Sequence, residues 1–163
     1  MRFVLFFVLI NCCFCLVAQY SEKQNGIIVA NGEEHQGLIA LNLESNTVLL
    51  DEGTQNRMFH EGIEKVTIDQ SRDTYVMASF NGEKALFRMV VTGSVPLLER
   101  FDLFFSYLNE ELIQLGDDEK VFFSVFGRAK KDIKDYAFVR NISSREPGGI
   151  ANIFEYYNKQ YAK

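Results

Sequence analysis

The sequence predicts an α+β fold: a mainly antiparallel β-sheet, or a small β-barrel or sandwich, followed by one or two C-terminal helices. Three observations predict it. Short apolar runs recur from residue 27 onward, separated by Asn, Gly and Glu. Asn81-Gly82 sits between two runs rich in β-prone residues. After Gly149 the apolar spacing changes from every second residue to a helical period.

The first element is a leader. Arg2 provides a positive start, Phe3 to Ile10 is unbroken apolar sequence, and Cys12 to Ala18 continues it after Asn11. A positive start, a short apolar core and a small residue near its end describe a secretory signal peptide over residues 1–19. The 16 residues from Phe3 to Ala18 make about 24 Å of helix, short of the roughly 30 Å hydrocarbon core, so a permanent anchor is the weaker alternative. All three cysteines, Cys12, Cys13 and Cys15, lie here. None follows a small residue, as a bacterial lipid-anchor site requires. Cleavage after Ala18 or Gln19 therefore removes every thiol before the chain meets an oxidising compartment.

Residues 20–163 then form a single β-rich domain, long enough for one core and too short for two. Pro96 and Pro147 are the only prolines, and no linker, repeat or low-complexity run divides the chain. The runs 27–31 and 47–50 are short and apolar. In 38–43, Ile39, Leu41 and Leu43 fall on one face of a strand, and in 63–68 Val66 and Ile68 alternate with Lys65 and Thr67. Asn81-Gly82 is a preferred two-residue hairpin turn because both positions need positive φ. That turn sets Val76 opposite Phe87 and Met77 opposite Leu86, apolar pairs on both faces, so these strands are expected to be covered on both sides. The aromatic-rich runs 95–98, 101–108 and 120–126 continue the strand pattern. A short helix is expected near 129–138 from Ile133, Tyr136 and Ala137. A C-terminal helix is expected over about 149–162, with Ile150, Ile153, Phe154 and Tyr157 along its apolar face. Glu155 and Lys159 stand four apart on the other side of it.

Removing Arg2 from the 17 basic residues leaves 16 against 22 acidic ones, a net charge of −6. A chain of that sign is poorly suited to neutralising nucleic-acid phosphates. The two histidines, His35 and His60, each neighbour glutamates (Glu33, Glu34 and Glu61), but neither has the second histidine of a metal motif, and both read as solvated loop residues. The pairs Glu110-Glu111 and Asp117-Asp118 have the chemistry for acid–base work, yet acidic pairs between apolar runs read as solvated turns. Arg128, Lys130, Lys131 and Lys134 make a small basic cluster, readable as a contact for an acidic partner or lipid headgroup, or as a solvated helix face. Asn141-Ile142-Ser143 matches a glycosylation tripeptide that matters only in a eukaryotic secretory pathway. No nucleophile elbow, phosphate loop or dinucleotide fingerprint occurs. The sequence therefore assigns no catalytic, cofactor-binding or metal-ligating residue and implies no cofactor.

The leader ending VAQ, the stretch VVTGSVPLLERFDLFFSYL and the terminal FEYYNKQY resemble exported β-rich proteins of Bacteroidota, in which a strand-rich body precedes a short helix. The resemblance implies a periplasmic or cell-surface location and supplies no activity. The expectation is an exported, non-catalytic domain, without a permanent membrane span once the leader is removed, that binds a protein or cell-envelope component. The alternative is a small β-barrel carrier of an apolar ligand. Against a lipocalin-like carrier, the chain has no tryptophan and so lacks the Gly-x-Trp start.

Overall fold

The computed structural model describes residues 20–161. The leader and its three cysteines lie outside the described residues. Ten strands form one sheet in which every neighbouring pair is antiparallel. They are β1 (Gln24–Ala30), β2 (Glu33–Asn42), β3 (Thr47–Asp51), β4 (Asn56–Phe59) and β5 (Ile63–Ile68), then β6 (Thr74–Phe80), β7 (Glu83–Val91), β8 (Leu97–Arg100), β9 (Leu103–Leu108) and β10 (Glu111–Leu115). The spatial order is β10-β9-β8-β7-β6-β5-β1-β2-β3-β4, so the only departure from a simple meander is β5 returning beside β1. Helices α1 (Glu119–Ser124), α2 (Lys130–Val139) and α3 (Pro147–Tyr161) follow, with a 3₁₀ turn at Gly127–Ala129. The α+β class with a mainly antiparallel sheet is thus the observed one. None of the described helices is long and apolar enough to cross a membrane.

The sheet bends in two opposite directions because its apolar residues change face along the chain. On β1–β7, the face bearing Ile28, Ile39, Val48, Leu50, Val66 and Leu86 turns inward, and each of these side chains is fully buried. The roll brings the β2–β3 turn onto β7, where Leu86 N–H donates to Asn46 Oδ1 at 3.0 Å. On β6–β10 the opposite face curls inward around Ala78, Phe87, Leu98, Phe105 and Leu112 and brings β10 beside β6. The helices cover the outside of this second roll, packing Phe122, Phe126, Ile133, Ile153 and Phe154 against Leu97 and Leu115. A bulge between Met89 and Val91 lets β7 present both Val90 and Val91 to the helices.

The central hairpin has the expected register, with Val76 opposite Phe87 and Met77 opposite Leu86. Asn81 and Gly82 both have positive φ, 52° and 82°. Leu86 faces the first roll and Phe87 the second, so the strands are covered on both sides. Replacing Gly82 with Val is expected to destabilise the fold by roughly 1–3 kcal/mol, since a β-branched residue resists positive φ. Exposed Ser79 should tolerate Ala within about 0.5 kcal/mol. Equal small shifts in paired urea melts would mean that the turn contributes no conformational constraint.

Three expectations need correction. The run at 120–126 is helical as far as Ser124, within α1, and ends in a turn at Val125 and Phe126. Asp118 caps that helix by accepting from Lys120 N–H at 2.7 Å, and Phe122, Val125 and Phe126 have helical spacing as well as strand-like composition. The sheet is therefore followed by three helices. His35 is a strand residue on β2 with a side chain only 13% exposed. The 101–108 run begins with a turn, and β9 starts at Leu103. The two helices expected further along are present at Lys130–Val139 and Pro147–Tyr161.

Candidate functional site

Where the first roll opens, beside the reversal in curvature, lies a cleft of about 470 Å³. Four separated stretches meet there. Tyr20–Gln24 precedes and begins β1, and Leu41–Glu44 ends β2. Residues 68–75 connect β5 to β6, and Phe101 comes from the β8–β9 turn. The N-terminal stretch is pinned in place because Ser21 N–H donates to Leu41 O at 2.7 Å, and Leu41 N–H returns a bond to Ser21 Oγ at 2.9 Å. The Tyr20 hydroxyl lies 3.0 Å from Thr47 Oγ1.

Phe101 is the most unusual residue in the wall. Arg100 pairs with Leu103, so Phe101-Asp102 is a two-residue hairpin loop, and both residues have positive φ, 51° and 62°. The equivalent positions of the β1–β2 and β6–β7 hairpins are Asn31-Gly32 and Asn81-Gly82, which tolerate that conformation. A phenylalanine does so at a cost of about 1–2 kcal/mol, and here the residue is 55% exposed. Burial does not account for its presence.

Arg100 fastens this turn to the first roll. Its guanidinium donates to Leu43 O at 2.8 Å, Asn46 Oδ1 at 2.8 Å and Leu86 O at 3.3 Å, and lies 4.8 Å from the Phe101 ring centroid. Burial lowers the Arg100 pKa from its ordinary value, and neutral acceptors take the place of a carboxylate partner. On the opposite wall, burial raises the Tyr75 pKa, reinforced by the Asp73 carboxylate, so its phenol stays protonated. Asp73 in turn accepts from Arg88 at 3.4 Å, while Arg88 bonds chiefly to Glu99.

The residues singled out in the sequence are dispersed away from this cleft. His35 Nδ1 accepts from Arg57 Nη1 at 3.2 Å, and its ring packs on Phe59 inside the first roll. His60 is exposed in the β4–β5 loop beside Glu61, and Glu33 and Glu34 are exposed at the start of β2. Glu110 occupies the β9–β10 turn, Glu111 begins β10, and Asp118 is the α1 cap, so neither acidic pair forms a facing dyad. Arg128, Lys130, Lys131 and Lys134 lie on the exposed side of the 3₁₀ turn and α2, where Lys134 pairs with Glu119 at 3.2 Å. Asn141 is exposed just after α2. Among the described residues no group of three His, Cys, Asp or Glu is arranged to hold a metal ion.

The cleft was not visible in the sequence because its parts are local only in space. Phe101-Asp102 lacks the glycine that marks such turns, and the aromatic run around it reads as uninterrupted strand. The hint was Asp102, a turn-tolerant residue in the middle of that run. No protein-family model, curated protein or solved structure matches the chain.

Proposed function

We propose that the chain is an exported, non-catalytic domain that binds a protein or cell-envelope component, and that the cleft beside Phe101 is its binding site. The observation carrying this reading is Phe101 itself. A large aromatic held at positive φ and left half exposed carries a conformational cost, a pattern associated with binding sites. The alternative, a carrier of an apolar ligand, has less support. The inward positions of the first roll are filled by side chains that pack on one another, leaving the space a carrier would need occupied.

Phe101→Asn tests the reading. Asn accepts the turn conformation, so the melting temperature should stay level or rise, while capture of the partner from an envelope fraction should fall at least about tenfold, or 1.4 kcal/mol. Undiminished capture by the folded variant would remove the cleft from the binding function. A carrier would instead show stoichiometric uptake of a fatty acid with a rise in melting temperature, and neither is expected. Export has its own test, which is the intact mass of the secreted protein. The expected chain begins at Gln19 or Tyr20 and holds no cysteine. A retained leader, or acyl chains on any cysteine, would overturn it.

A further inference from the structure

We infer that the cleft receives a positively charged side chain, arginine or lysine, presented on a polypeptide; this rests on the cleft being the binding site. Its lining contains three carboxylates, Glu22, Glu44 and Asp73, of which Asp73 is already paired with Arg88, and no lysine, arginine or histidine. Glu22 and Glu44 are exposed, and neither forms an ion pair among the described residues. Neither carboxylate is engaged by a side-chain cation there, so a bound cation would gain charge-assisted hydrogen bonds. Tyr20, Tyr75 and Phe101 supply aromatic faces alongside these carboxylates. Such faces attract guanidinium and ammonium groups, as the Phe101 ring already does with Arg100.

The polypeptide part follows from Asn42. This side chain lines the cleft and is only 4% exposed. Its Oδ1 accepts from Ser45 N–H at 3.0 Å, which fixes the orientation of the amide. The NH₂ group then has no hydrogen-bond partner among the described residues. Every fully enclosed side-chain polar atom there does have one, so this NH₂ is not fully enclosed, and the space its side chain lines is the cleft. A free donor in the same cleft as carboxylates that a cation would occupy is met by a neutral acceptor from the ligand. A backbone carbonyl next to a cationic side chain meets both requirements, and the volume of about 470 Å³ lies in the range of small-ligand pockets.

The test titrates the purified protein with acetylated, amidated pentapeptides of alanine whose central residue is arginine, citrulline or glutamate, following backbone amide resonances. The arginine peptide should move Asn42, Leu43, Tyr75 and Phe101 saturably, and citrulline should bind at least about tenfold more weakly. The double variant Glu22→Gln/Glu44→Gln should weaken the arginine peptide by a similar factor without lowering the melting temperature, and added salt should weaken it in the wild type. Equal binding of arginine and citrulline peptides at these residues would overturn the cationic ligand and leave the cleft as the binding site. Methylguanidinium binding as tightly as the arginine peptide would overturn the polypeptide part. If no peptide perturbs the cleft while Phe101→Asn still abolishes envelope capture, this inference fails and the proposed function stands.

Discussion

Replacing Phe154 with alanine is expected to destabilise the protein by roughly 3–5 kcal/mol, the usual cost of emptying a buried aromatic site. Phe154 is fully buried at the centre of the helical cap. Its ring meets Phe126 and Phe122 edge-on, at 4.9 and 6.0 Å between centroids, so the substitution removes two aromatic contacts as well as area. The backbone has little freedom to close the gap. One turn further along α3, Asn158 Nδ2 donates to Val95 O at 2.8 Å, and Asn158 Oδ1 accepts from Val95 N–H at 3.1 Å. That pair of bonds holds the helix to the β7–β8 connection like a rung of sheet. Tyr161, 39% exposed at the helix end, provides the comparison. Tyr161→Ala should cost well under about 1 kcal/mol, as is usual for surface positions. Urea denaturation of both variants reads the difference. A Phe154→Ala effect as small as that of Tyr161→Ala would mean that α3 docks on the domain without completing its core.

The terminal helix was legible because Ile150, Ile153 and Phe154 repeat at a period no strand shares, and all three are buried as expected. Tyr157 is less so; it is half-buried and packs its ring on Phe126 at 5.1 Å. The Asn81-Gly82 hairpin was legible for a different reason: two turn residues specified the register of the twelve paired strand residues around them. Where a run is apolar throughout, both kinds of signal fail. KVFFSVF has strand composition and helical spacing together, and the deciding element was the Asp118 cap just outside it. β4 and β10 were missed because NRMF and ELIQL are short and mix polar with apolar residues, as edge strands do. The cleft failed at another level. Tyr20, Asn42, Tyr75 and Phe101 carry no mutual spacing, and they converge only because the sheet rolls until the β2–β3 turn reaches β7.

That roll has its own point of vulnerability, and it yields the second large expected effect. Gly26 on β1 and Gly37 on β2 are direct partners across the ladder, side by side on the inner face. A Cβ at Gly26 would collide with the Thr67 carbonyl of β5, and one at Gly37 would sit 2.5 Å from the Asp51 carbonyl oxygen of β3. Both obstacles are backbone atoms of paired neighbouring strands, so no side-chain rotation relieves them. Neither glycine has positive φ, and the requirement is the close approach of neighbouring strand backbones. Gly26→Val is therefore expected to cost about 3 kcal/mol or more, at the upper end of overpacking penalties. Gly148→Ala is the matched control, since its Cβ meets nothing within 4 Å in the first turn of α3. That change should be neutral or stabilise by up to about 1 kcal/mol. Because Gly26 and Gly37 share one bend, Gly26→Ala and Gly37→Ala combined should cost less than the sum of the two single changes. Once either has opened the bend, the other carbonyl is no longer so close. The cleft supplies the independent check. Loosening the bend shifts β2 relative to β5, so Gly26→Val should also disturb the amide resonances of Asn42 and Tyr75, which Gly148→Ala should leave in place. A melt and a spectrum of Gly26→Val that both match wild type would show that the first roll is not held closed at this pair of glycines.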